Sequence, residues 1–249
     1  MIKVQSWDQA KAARKALRKD TFNGFVTDFI ATHEARQAGA QAFLVEQDAN
    51  WVTPPHFHLE HQFQIVMAGE GSIGRHPVAP YTVHYAAPET GYGPIIAGPG
   101  GVSYMTLRVA GDTGAWYLHK PGSRERMRPG VKREQQHGAP ASPIAPEHLA
   151  SLGASVVDDL IAPREDGLAA HLVRMPSGAN LTLAARHPHA GRFHVVTQGS
   201  MRLAGEDAHA LSVVFASGDE MPTMQAGPAG VEVLILQFPH GASVREPIQ

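Results

Sequence analysis

The sequence predicts an all-β protein made of two similar β domains behind a short N-terminal helix. The first observation behind this is a repeat. PHFHLEHQFQIVMAG (residues 55–69) is paralleled by RHPHAGRFHVVTQG (186–199), and AGPGGVSYMTL (97–107) by AGPAGVEVLIL (226–236). Two matching blocks in the same order and at similar spacing signal a duplicated unit. The second observation is punctuation: 25 Gly and 19 Pro are spread along 249 residues, as many short strands with tight turns require. The third is an HxH pair, His56 and His58. Residues at i and i+2 of a strand point to one side, so the backbone itself fixes the separation of two imidazoles.

Composition narrows the function classes. Hydrophobic residues make up 43% of the chain, enough for a packed core, and the formal charge is −2. No field of either sign favours nucleic acid or anionic membranes. There are no cysteines, which removes disulfides, thiolate nucleophiles and Cys-held zinc. Any metal has to sit on His, carboxylate or amide ligands. The N-terminus is too polar for a signal peptide and no apolar run is long enough for a membrane span, so the expected location is cytoplasmic.

Taken in order, residues 6–19 read as the helix, with Ser6 as its cap and Ala10, Ala13 and Leu17 as a weak apolar stripe. Residues 25–30 and 42–45 read as strands. Thr53, Pro54 and Pro55 lead into the histidine strand, and residues 62–66 form its hairpin partner. On that partner Gln62, Gln64 and Val66 share one face, whereas His61 has the parity of the outer face. Gly69 to Gly71 reads as a turn, and GEGSIG (69–74) matches a dinucleotide-type glycine pattern only on paper, since no strand-to-helix context surrounds it. Residues 82–86 form a strand carrying His84 and Tyr85. A Gly- and Pro-rich loop follows, and then a strand over 102–109. Residues 120–146 are Pro-rich and charged, and read as a solvated linker. Its basic cluster (Lys120, Arg124, Arg126, Arg128, Lys132, Arg133) offers a grip for an anion as the alternative.

The 54–69 stretch resembles the first signature of the cupin superfamily, in which HxH is followed after three residues by Glu and after six more by Gly. His56, His58 and Gly69 fall on that pattern, and Gln62 stands at the Glu position. With the duplication, the resemblance implies a bicupin: a barrel in 1–120, a linker in 121–150 and a second barrel in 151–249. It also implies a divalent metal, with Fe, Mn, Ni and Zn all compatible. The candidate ligands are His56, His58, Gln62 and His84. The family's second signature, PxGxxH, lacks its histidine in both halves. In the second half the candidates are His187, His189 and His194, and Arg192 replaces the Glu. A fixed cation there repels a metal, or stands in for one by holding a carboxylate.

All five Tyr and all three Trp lie in the first half, which favours a pocket there. Tyr92, Gln62 and Tyr85 are the candidate catalytic groups. The expected function is a metal-dependent cupin enzyme on a small organic molecule, of dioxygenase type. Two alternatives stand beside it: a non-catalytic small-molecule binding or sensing cupin, and a metal-free isomerase or lyase working by His and Tyr acid–base chemistry. The expected partners are a small molecule and, in a homodimer, a second copy, with neither nucleic acid nor membrane.

Overall fold

The structure is a computed structural model that describes residues 1–33, 39–112 and 114–242. Two compact units emerge, Ala12–Gly138 and Met1–Lys11 together with Ala139–Gln249. This division departs from the expected 1–120, 121–150 and 151–249 at both ends. The first strand of the chain, Ile2–Gln5, pairs with Val213–Ser217 in the second unit. The Met1 ammonium also reaches Glu220, at 2.7 Å. The expected linker is structured in part: Gln135–His137 pairs with Val83–Ala86 and so completes the first unit's sheet.

The sheet of the first unit runs in the order Gln135–His137, Val83–Ala86, Gln62–Ile73, Ile95–Arg108, Gln41–Gln47, Phe22–Ile30 and Lys15–Lys19. That of the second runs Ile2–Gln5, Val213–Ser217, His189–Leu203, Met224–Pro239, Ala169–Met175 and Val156–Ile161. The pairings are antiparallel, and the central ladder of one unit reproduces that of the other. Gly69 faces Val102 in the first, and Gly199 faces Val231 in the second. Both glycines have positive φ, 75° and 69°. A Cβ would lie 2.2 Å from the Gly101 carbonyl oxygen at the first position and 2.1 Å from that of Gly230 at the second. Only glycine combines that backbone with that approach. Gly69 to Gly71 is therefore no turn but an irregular point inside one long strand, and GEGSIG belongs to the same strand up to Ile73, with Gly74 in the turn that follows.

The N-terminal helix is much shorter than its pattern suggests. Ser6 and Gln9 form a capping box that starts a helix over Trp7–Ala10, and a 3-10 turn ends it at Ala13. Residues Lys15–Lys19 then form a strand paired with Phe22–Ile30. Pairing overrides the helical preference of KALRK. The strand turns Leu17 inward, while Arg14 and Arg18 cover the ring of Phe25 at 3.6 Å and 5.1 Å.

Inward residues decide what each unit encloses. In the second unit they are mostly aliphatic: Val173, Met175, Val196, Val214, Val231, Val233 and Ile235 belong to one buried cluster. In the first unit the matching positions keep Val45, Val66 and Val102 but carry Gln47, His84, Tyr104 and Thr106 at the other four, and the unit retains a cavity of about 340 Å³.

Candidate functional site

Strand alternation builds the cavity wall. Gln62 and Gln64 come from Gln62–Ile73, Tyr104, Thr106 and Arg108 from Ile95–Arg108, Phe43 and Val45 from Gln41–Gln47, and Phe22 and Val26 from Phe22–Ile30. His56 and Tyr92 meet because their backbones pair reciprocally, His56 N–H to Tyr92 C=O at 3.1 Å and Tyr92 N–H to His56 C=O at 3.0 Å. The loop carrying Tyr92 is held from behind. The carboxylate of Glu89, wholly buried, accepts from the Arg128 backbone N–H at 2.7 Å and from Arg128 Nε at 2.5 Å, and pairs with Arg133 at 3.4 Å. Two arginines of the supposed solvated linker thus serve as a clasp.

Hydrogen bonds join His56, Tyr92, Gln62, Arg108 and Gln41 in one chain, with the His58–Asp112 pair beside it. His56 Nδ1 lies 2.8 Å from the Pro54 carbonyl, so that nitrogen carries the proton. His56 Nε2 is then the acceptor for the Tyr92 hydroxyl at 3.1 Å. Gln62 Nε2 donates to the same hydroxyl at 2.7 Å. The amide oxygen of Gln62 accepts from Arg108 Nε at 3.0 Å and Nη2 at 2.5 Å, and Gln41 Oε1 accepts from Arg108 Nη1 at 2.6 Å. His58 Nδ1 is bonded to Asp112 Oδ2 at 2.8 Å. With Asp112 ionised, His58 has its proton on Nδ1 and its lone pair on Nε2.

Burial sets the protonation states. It pulls His56 down to about 3, helped by the neighbouring His58 and Arg108. His58 is also lowered, by burial and then by Arg108, against the pull of Asp112. The Tyr92 hydroxyl is pushed up by burial, so it stays protonated. Arg108 is lowered by burial but remains a cation, as guanidinium does in proteins. At neutral pH the site holds two neutral imidazoles, a neutral phenol and one fixed positive charge.

The sequence-predicted residues divide. His56, His58, Gln62 and Tyr92 all line the cavity. His84 turns to the same face, level with Gln64 in register, and bonds to it at 3.0 Å. Its other nitrogen is 3.2 Å from Gln135, and burial takes it to about 3. Tyr85 is misplaced by the catalytic reading. It points to the opposite face, packs on Phe63 and sits 2.6 Å from His61 Nδ1. One-residue alternation after His84 dictates that outcome. Arg108, Asp112 and Gln41 were not anticipated. Parity with Tyr104 on the predicted 102–109 strand would have found Arg108.

The implied metal does not fit these residues. Three of the four candidates are already engaged: His56 Nε2 accepts from the Tyr92 hydroxyl, both ring nitrogens of His84 face glutamine oxygens, and Gln62 Oε1 is held by two N–H groups of a guanidinium, which leaves His58 Nε2 as the one candidate nitrogen without a good partner. At an effective dielectric of 20, a dication about 4 Å from that charge would be repelled by roughly 8 kcal/mol. Among the described residues no group of three or more His, Asp or Glu is placed to hold a metal ion. The second unit is no better suited. His187 is half-exposed in a bend, outside any strand. Arg192 donates to Gln237 Oε1 at 2.7 Å and to the Leu183 carbonyl at 2.5 Å. His189 and His194 fall to about 4 and about 3, by burial and then by Arg192.

No protein-family model and no curated protein sequence matches the chain. Solved structures do, in fold. A Lactobacillus farciminis oxalate decarboxylase in a formate complex is 14% identical, with a TM-score of 0.61 over 95% of this chain and 86% of that one. A putative dioxygenase from Nostoc punctiforme is 8% identical, with a TM-score of 0.61 over 98% and 85%. A Bacillus subtilis oxalate decarboxylase studied for its Mn(II) centres is 12% identical, with a TM-score of 0.56 over 93% and 77%. These likenesses establish the bicupin fold, two tandem cupin barrels behind a short helix. No helix among the described residues is long and apolar enough to cross a membrane.

Proposed function

We propose that the first barrel is a metal-independent acid–base site for a small organic molecule, of isomerase or lyase type. The observation that carries this reading is the Arg108 guanidinium, bonded to Gln62 where a metal-binding cupin would place its carboxylate ligand. Enzymes of this fold include oxalate decarboxylase, but fold leaves the chemistry open.

The residues offer a complete set of roles. Asp112 orients His58 and fixes its tautomer, leaving Nε2 as a neutral base. A proton taken from a carbon next to a carbonyl sends an electron pair to that carbonyl oxygen. Arg108 stands ready as the cation for the oxyanion so formed, and the Tyr92 hydroxyl, whose one proton goes to His56 Nε2 at rest, donates to it once turned from that nitrogen. The proton on His58 then returns to the γ-carbon of a β,γ-unsaturated substrate as the electron pair moves back from oxygen through the conjugated dienolate, an isomerisation, or leaves with a β-substituent as the pair forms the α,β double bond, an elimination. His56 holds Tyr92 in orientation through its acceptor nitrogen.

Elemental analysis and proton exchange test this together. The purified protein should carry substoichiometric metal. Exchange of α-protons of small carbonyl compounds into D2O, followed by NMR, should be indifferent to a chelator. Tyr92→Phe should slow that exchange by about 100-fold, the usual scale of one acid–base group. One metal per chain, with exchange abolished by chelation, would return the dioxygenase-type reading. Ligand binding without any exchange would favour the sensor.

A further inference from the structure

We propose that the molecule taken by the first barrel is a small monocarboxylate with a compact apolar tail, its carboxylate seated on Arg108. The inference uses the location of the acid–base site but concerns what binds there.

Charge comes first. Among the described residues no Asp or Glu lines the cavity, whereas Arg108 and Lys19 do. Arg108 is 2% exposed. Its described partners are two glutamine oxygens and the edge of His58, so no carboxylate touches a buried cation. The carboxylate of Asp112 balances it at one remove, on the far side of His58. A buried charge without a direct counterion is a standing cost that an anionic ligand removes.

Donor accounting sharpens this. Arg108 Nη2 lies 3.1 Å from His58 Nδ1 and 3.4 Å from Nε2. Because Nδ1 donates to Asp112, it cannot accept from Arg108, and 3.4 Å is long for the other nitrogen. One N–H of Nη2 therefore lacks a good acceptor beside the cavity. A guanidinium N–H without an acceptor makes a charge-assisted hydrogen bond to a carboxylate oxygen, roughly twice as strong as one between neutral groups.

The rest of the wall describes the tail. Leu17, Phe22, Val26, Phe43 and Val45 supply apolar lining with no partner for a second charge. Lys19 is exposed, so it belongs to the rim and draws anions in rather than seating them. A volume of about 340 Å³, at the roughly 30 Å³ per molecule of liquid water, holds about eleven non-hydrogen atoms. That suits an acid of the size of hexanoate or benzoate.

The test is calorimetric titration with hexanoate and benzoate beside their primary amides, hexylamine and succinate. Either monocarboxylate should bind at least tenfold tighter than its amide, and succinate and hexylamine more weakly still. Arg108→Met should abolish the acid-over-amide preference, and Arg108→Lys should restore only part of it. Val45→Trp, which fills the apolar end and leaves Arg108 in place, should weaken benzoate binding tenfold or more while sparing formate. It keeps the test decisive if Arg108 variants do not fold. Amides binding as tightly as acids, no probe binding, or an acid preference that survives in folded Arg108→Met overturns the proposal. Metal content separates the two readings. Stoichiometric metal alongside an Arg108-dependent acid preference sinks the acid–base site and leaves the ligand class. Metal-free, exchange-active protein with no acid preference sinks the ligand class alone.

Discussion

Both halves set one arginine and one glutamine against each other at the same crossing of their central strands, and they exchange the two. In the first half Gln62 lies on the HxH-proximal strand and Arg108 on its neighbour, with Nε to Oε1 at 3.0 Å. In the second, Arg192 takes the former place and Gln237 the latter, at 2.7 Å. The pair is conserved in geometry and inverted in sequence. One layer further in, register sets Phe43, Thr106, Gln64 and His84 against His171, Ile235, His194 and Val214. Duplication thus preserved the frame and let the filling diverge. One half kept polar groups around a cavity, and the other closed its interior with aliphatic side chains.

If the frame is common, its glycines should matter equally. Gly69→Ala and Gly199→Ala should each cost about 3 kcal/mol, from a forced carbonyl contact and a left-handed backbone. Denaturant midpoints of the two variants should fall together, each in its own unit. A large effect at one glycine and none at the other would break the equivalence of the two ladders.

Histidine titration separates the fillings. The folded pKa of His194 is depressed to about 3 from an unfolded value near 6.5. Between those values the unfolded chain binds a proton that the native one does not. Stability therefore rises with pH across that window, and falls on acidification. His194→Gln, which copies its counterpart Gln64, should reduce the acid slope of the second unit by up to about 1.4 kcal/mol per pH unit. Melting series from pH 7 to 4 would show it, and an unchanged slope would place the ring in water.

The smallest effect concerns the loops after the matching strands. Glu89 is buried under Arg128, while Asp219, its counterpart by register, bonds to Ser217 at the surface. Glu89→Gln should lower stability by about 1.5 kcal/mol, the scale of a charged hydrogen bond, and loosen Tyr92 with it. Asp219→Asn should leave the midpoint where it is. Equal responses would mean that the clasp does not distinguish the halves.

Much of this was legible in the residues. The repeat located both ladders, because a duplicated strand keeps its glycine, its phenylalanine and its alternation. Strand parity put Gln62 and Gln64 inside and His61 outside, and an aromatic bias pointed to the half that holds the cavity. What failed depended on contacts distant in sequence. KALRK has helical propensity but gains more as an edge strand against Phe22–Ile30. Residues 120–146 look solvated until Glu89, buried some forty positions earlier, claims two of their arginines. The metal reading rests on His56, His58, Gln62 and His84. Arg108 comes from another strand, and no local spacing announces that its charge ends beside Gln62.

The strand at residues 2–5 has a consequence for how the chain reaches this state. Its register partner for Ile2 is Ala216, more than two hundred positions later. A ribosome completes the whole of Ala12–Gly138 before any of the Val213–Ser217 edge exists. The first barrel has all its strands in one continuous run and can assemble during synthesis. The second must wait for the chain's opening residues to be recovered, and loop closure over that span is slow to nucleate. Until then the Val213–Ser217 strand presents an open row of backbone donors and acceptors, an edge to which another chain can pair.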